Sequence, residues 1–142
     1  MLQKYYNFHI FENGTIKALD FKIGKELWTN NGYENCGTRY TIDKEGNLYL
    51  YSKPGYRFYV INKDGKTLNN IQLDWREWDY KQPNDNSIID RVYVEYENEK
   101  PSKYIMYYVQ EEGDGDSMCL TINLKNNKVE IKNTDPTLDT FD

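Results

Sequence analysis

Histidine and cysteine are nearly absent from this chain, which carries one imidazole, His9, and two thiols, Cys36 and Cys119, in 142 residues. A serine or cysteine nucleophile would have to draw its base from His9, because no other imidazole exists. His9 lies in the aromatic run Tyr5-Tyr6-Asn7-Phe8-His9-Ile10, where the plain reading is a strand residue facing solvent or a hydrogen-bonded core group. Neither cysteine has a motif around it. Two thiols do not make a disulfide framework, and with one histidine they are too few for a zinc site unless a carboxylate joins them. Long apolar runs are missing as well, so no segment is suited to crossing a bilayer. Met1 to His9 lacks the basic start, apolar run and small-residue cleavage site of a secretory signal. These absences lead to the expectation of a cytoplasmic protein with no membrane partner, no cofactor, no metal and no catalytic residues. Basic charge is also short, with 18 Lys and Arg against 23 Asp and Glu and a net charge of -5. That argues against nucleic acid, whose phosphates require a basic face, and suits a basic protein partner.

Aromatic residues are plentiful. Fourteen tyrosines, five phenylalanines and three tryptophans supply large apolar area to a chain that is only 38% hydrophobic, and aromatics favour strands. One pattern occurs three times: a strand end, a tight turn, and a strand that restarts on lysine. It reads Ala18-Leu19-Asp20-Phe21-Lys22-Ile23-Gly24-Lys25, then Val60-Ile61-Asn62-Lys63-Asp64-Gly65-Lys66, then Ile122-Asn123-Leu124-Lys125-Asn126-Asn127-Lys128. Gly24, Gly65 and Asn127 occupy the place where a hairpin turn needs positive φ. Period-two alternation is visible at Tyr6, Phe8 and Ile10, at Leu48 and Leu50, and at Tyr56, Phe58 and Val60. It returns at Val92, Val94 and Tyr96, at Tyr104, Met106 and Tyr108, and at Leu120, Ile122 and Leu124. Asn13-Gly14, Asn31-Gly32, Glu45-Gly46-Asn47, Pro54-Gly55 and Asn98-Glu99-Lys100-Pro101 add further turns. The expected fold is all-β, an antiparallel meander of consecutive β-hairpins forming a twisted sheet, a sandwich or an incomplete propeller-like array of about eight to ten strands. A single β domain is expected over residues 1–132, with a loosely held acidic tail over 133–142.

The segments from Asn13 to Trp28 and from Gly46 to Leu68 resemble the blade repeats of quinoprotein-like (PQQ-type) β-propellers, which carry a Gly-x-x-x-Ala-Leu-Asp-x-x-x-Gly-Lys-x-x-Trp run. Gly14, Ala18, Leu19, Asp20, Gly24, Lys25 and Trp28 match it. Complete propellers need more four-stranded blades than this chain has material for. The resemblance therefore implies consecutive antiparallel meanders and carries no quinone, metal or dehydrogenase role onto any residue here.

Two segments hold the candidate site residues. Leu73-Asp74-Trp75-Arg76-Glu77-Trp78-Asp79-Tyr80 concentrates tryptophan, tyrosine and arginine, the residue types that dominate protein-protein hot spots. Its alternative reading is a core cap with charges facing water. Glu111-Glu112-Gly113-Asp114-Gly115-Asp116 is a glycine-spaced acidic loop that lacks the spacing of a calcium loop and reads as a solvated hairpin tip. The expected contacts with a basic partner are Trp75, Trp78 and Tyr80 as anchors, with Asp79, Glu111, Glu112, Asp114 and Asp116 pairing with its lysines or arginines. The functional expectation is a small acidic protein-binding domain, an immunity-type inhibitor that neutralises a basic toxin domain. A propeller-related scaffold or carbohydrate-binding module and a carboxylate-dependent hydrolase are the alternatives.

Overall fold

The computed structural model describes residues 6–11, 13–20, 22–33, 39–73, 83–84, 86–110 and 115–134. Every regular element among them is a β-strand: β1 (Tyr6–Ile10), β2 (Ile16–Asp20), β3 (Glu26–Asn30), β4 (Thr41–Ile42), β5 (Leu48–Ser52), β6 (Arg57–Ile61), β7 (Thr67–Gln72), β8 (Ser87–Glu97), β9 (Lys100–Gln110), β10 (Ser117–Asn123) and β11 (Val129–Asn133). They form three antiparallel meanders, ordered β1-β2-β3, β4-β5-β6-β7 and β11-β10-β9-β8. Each strand pairs with its neighbour in sequence, as a chain of hairpins requires. The all-β antiparallel class read from the turns and alternations is therefore observed. By contact density the chain divides into two compact units, Met1–Gln72 and Leu73–Asp142. Among the described residues no helix is long and apolar enough to cross a membrane. The acidic tail lies outside the described residues from position 135; before it, the Thr134 amide donates to the Ser117 carbonyl at 2.7 Å.

The first unit holds the two N-terminal sheets, whose inward residues Ile16, Leu48, Leu50 and Ile61 cluster with Tyr33, while Phe8, Ile10, Trp28 and Tyr59 pack around them. Burying aliphatic side chains of this kind stabilises a fold by about 1.5–3 kcal/mol each. β5 departs from simple alternation: Tyr49 and Tyr51 are as buried as Leu48 and Leu50. Trp28 ties sheet to sheet. Its indole Nε1 donates to the Lys63 carbonyl at 2.8 Å, and Asn30 Nδ2 donates to the Gly65 carbonyl, so β3 is clamped to the β6–β7 turn.

Each lysine-restart turn is organised by the Asx residue that begins it. The side-chain oxygen of Asp20 accepts from the Lys22 and Ile23 amides, that of Asn62 from Asp64 and Lys66, and that of Asn123 from Lys125 and Asn126. Such side chains satisfy backbone donors that the ladder leaves open. Positive φ falls where the sequence places it, at Gly24 (69°), Gly65 (87°) and Asn127 (62°). A fourth turn shares this build: Asp43 accepts from the Glu45 and Asn47 amides, and its second oxygen takes Asn47 Nδ2 at 2.8 Å and the Tyr49 hydroxyl at 2.6 Å. At Pro54-Gly55 the positive φ, 52°, sits on Tyr56 and not on the glycine.

In the second unit β8 and β9 are each 11 residues long and joined by Asn98 and Glu99, with φ of 52° and 67°. Two successive positive φ values make the tight primed turn that matches strand twist. One face of this sheet buries Ile89, Tyr104, Met106, Tyr108, Met118, Leu120 and Ile122. The register of β8 on β9 shifts between Ile89 and Arg91. That bulge inserts Asp90 and brings Arg91 onto the opposite, outer face.

Candidate functional site

The outer face of the β8–β11 sheet gathers a cluster whose residue types suit recognition. Cross-strand pairing places Ile88 against Val109 and Arg91 against Tyr107, and one step on Tyr93 against Ile105. On the other side of β9, Cys119 pairs with Tyr107 and Thr121 with Ile105, while β11 adds Lys132 and Glu130 to the same rows. Because side chains alternate along a strand, these residues share one surface.

The geometry centres on a guanidinium over two phenols. Arg91 Cζ lies 4.5 Å from the Tyr107 ring centroid and 5.7 Å from that of Tyr93. The two rings are nearly parallel, 16° apart with centroids at 6.3 Å. A cation placed this way is attracted by the ring quadrupoles, worth about 0.5–1 kcal/mol at an exposed site. Partial burial, and then its hydrogen bond with Tyr107, push the Tyr93 hydroxyl above its ordinary value, while Arg91 pulls the other way. Both rings are half-buried and Arg91 is exposed, so the stack is accessible from solvent. Ile88, beside it, is 54% exposed.

The arginine is held but not used up. Arg57, in the first unit, donates to Asn70 Oδ1 at 2.7 Å and to Gln72 Oε1 at 2.6 Å. Arg91 makes ring contacts only, with no hydrogen bond or ion pair to any described residue. A guanidinium offers five donors in a rigid fork.

The patch adjoins the acidic hairpin. The Gln110 amide donates to the Asp116 carbonyl at 2.9 Å, closing the base of the loop at the end of β9 and β10 where Val109 and Ile88 lie. That end is braced by Ser87 Oγ, which donates to Gln110 Oε1 and accepts from the Asn84 amide at 2.9 Å, with Ser87 and Gln110 both buried.

Of the partner-contact residues expected from sequence, Asp116 alone falls among the described residues, where it is half-buried at the hairpin base. Trp75, Trp78, Asp79, Tyr80, Glu111, Glu112 and Asp114 lie outside them. His9 is exposed on β1, its ring 6.5 Å from that of Phe11, and pairs across the ladder with Lys17. Cys119 is a free, half-buried thiol in the row behind Tyr107; Cys36 lies outside the described residues. The Arg91–Tyr107–Tyr93 stack was not among the residues singled out from sequence. Arg91 and Tyr93 occupy alternate positions on β8, but Tyr107 comes from β9, and only the register brings it to them; the tyrosine-rich alternation of both strands was the available signal. No protein-family model matches the chain, and no curated protein matches it.

Proposed function

We propose that this chain is an acidic protein-binding domain that works as an immunity-type inhibitor, neutralising a basic toxin domain by occupying its surface. The observation that carries the binding role is the solvent-facing stack of Arg91 on Tyr107 and Tyr93, with Ile88 and Val109 alongside. Arginine and tyrosine beside apolar side chains are the composition of an energetic hot spot. The basic character of the partner rests on net charge, -5, and on the acids Glu111, Glu112, Asp114 and Asp116 in the segment that follows β9. Acidic charge of this kind speeds encounter with a basic surface. A sugar platform is a poorer fit, because the guanidinium already lies over the Tyr107 ring face that a sugar would need.

The test is purification of the native chain from its own cell, followed by kinetics with the protein that accompanies it. With Glu111→Gln, Glu112→Gln, Asp114→Asn and Asp116→Asn combined, association slows and its salt dependence flattens, while dissociation changes little. Association at an unchanged rate contradicts the electrostatic part of the proposal. A chain that purifies alone contradicts the binding role itself.

A further inference from the structure

We infer that Arg91 is the receptor for a carboxylate on the bound protein, with Tyr107 and Tyr93 acting as the platform that orients its guanidinium. The inference deepens the protein-binding reading and rests on it. The two described strand arginines, Arg57 on β6 and Arg91 on β8, differ in what their forks meet. In Arg57 the fork is occupied by Asn70 and Gln72. In Arg91 the guanidinium carbon lies over two rings, the charge is exposed, and no described residue accepts from its N–H groups. A guanidinium whose face is stacked presents its in-plane N–H groups outward, and the complementary ligand is a planar anion taken by two parallel hydrogen bonds. The surroundings select a monoanion with apolar neighbours. Ile88 and Val109 occupy the adjacent row, and the nearest other cation in the same row, Lys132, stands three strands away on β11. In that row the two strands next to Arg91 contribute Tyr107 and Cys119, so no second cation adjoins the guanidinium there, which suits a singly charged ligand. An aspartate or glutamate side chain, or a chain-terminal carboxylate, meets these conditions. Tyr107 is then a positioning residue.

The probe is benzoate, with benzamide as its neutral counterpart, titrated into the full chain while the arginine side-chain N–H and tyrosine ring resonances are followed by NMR. Benzoate is expected to move the Arg91 Nε–H and the Tyr107 and Tyr93 ring signals along a saturating curve, leaving Arg57 unmoved, and benzamide to move none of them. Arg91→Lys keeps the charge and loses the fork, so benzoate affinity falls about tenfold. Tyr107→Leu keeps the guanidinium and weakens binding by a smaller factor. Equal shifts at Arg57 and Arg91, or undiminished benzoate binding by Arg91→Lys, overturn the inference. This readout needs no partner, so its failure leaves the binding role standing, whereas a chain that takes benzoate at Arg91 yet purifies alone fails on the function only.

Discussion

Glu99 holds a backbone conformation that costs any residue with a Cβ, φ of 67° in the tight turn between β8 and β9. Asparagine, its neighbour at 52°, bears this better, and glycine bears it freely. Glu99→Gly is therefore expected to raise stability by about 1 kcal/mol, seen as a higher urea midpoint at unchanged slope. Glycine at the other turns is not equally replaceable. At Gly24, φ is 69° and nothing lies within 4 Å of an added Cβ; at Gly65, φ is 87° and the new atom would sit 2.8 Å from Trp28 Cδ2. Gly24→Ala should cost about 1–2 kcal/mol from backbone strain alone, and Gly65→Ala about 2–4 kcal/mol because the indole must also move. Equal losses in chemical denaturation would mean that the Trp28 clamp is not rigid. The need for positive φ at both positions was readable from the lysine-restart pattern. The indole over Gly65 was not, because it arrives from β3, with β4, β5 and β6 between them in the chain, a separation that no local pattern records.

At the scale of elements, the hairpins were legible because turn chemistry is local: three were marked by glycine or asparagine beside a lysine, and others by Asn13-Gly14, Gly46-Asn47 and Pro54-Gly55. What escaped was the first residue of the turn. Asp43 organises its loop as Asn62 does, yet the sequence reading marked that turn only by Glu45-Gly46-Asn47. The bulge at Asp90 left no sequence signal, since it arises from the pairing of β8 with β9. The alternation of Val92, Val94 and Tyr96 was read correctly on its far side. In β9 the same alternation puts Tyr104 and Tyr108 on the buried face, and burial pushes both hydroxyls far above their ordinary value, with Cys119 adding a little at Tyr108. Their neutral form is thus favoured in the folded state. An unfolded tyrosine ionises near about pH 10, so this contribution is complete below that pH and is lost above it, as the unfolded chain releases protons the folded chain keeps. A pH titration of phenolate absorbance and circular dichroism together should show Tyr104 and Tyr108 ionising only as the strands melt. The signals assigned by Tyr104→Phe and Tyr108→Phe titrating near pH 10 with the fold intact would contradict this.

Over the whole molecule, 14 tyrosines and a net charge of -5 furnish contact surface and an acidic field. For the candidate site the sequence shows residue types, aromatic residues and arginine, while the Arg91 cluster is assembled by the pairing of β8 with β9. The sequence reading put its aromatic anchors at Trp75, Trp78 and Tyr80, outside the described residues, whereas the described cluster of this type is Arg91, Tyr93 and Tyr107. Composition names the residue types; strand register decides which of them meet. That a protein partner sits on the outer face of the β8–β11 sheet can be measured by photo-crosslinking in the native cell, with benzoylphenylalanine at Ile88 in one variant and at Asn126 in another. Ile88 is 54% exposed beside the stack, whereas Asn126 is exposed in the β10–β11 turn at the opposite end of the same sheet. A discrete protein adduct from position 88 and none from position 126 is the predicted result; an adduct from position 126 with none from position 88 would contradict it.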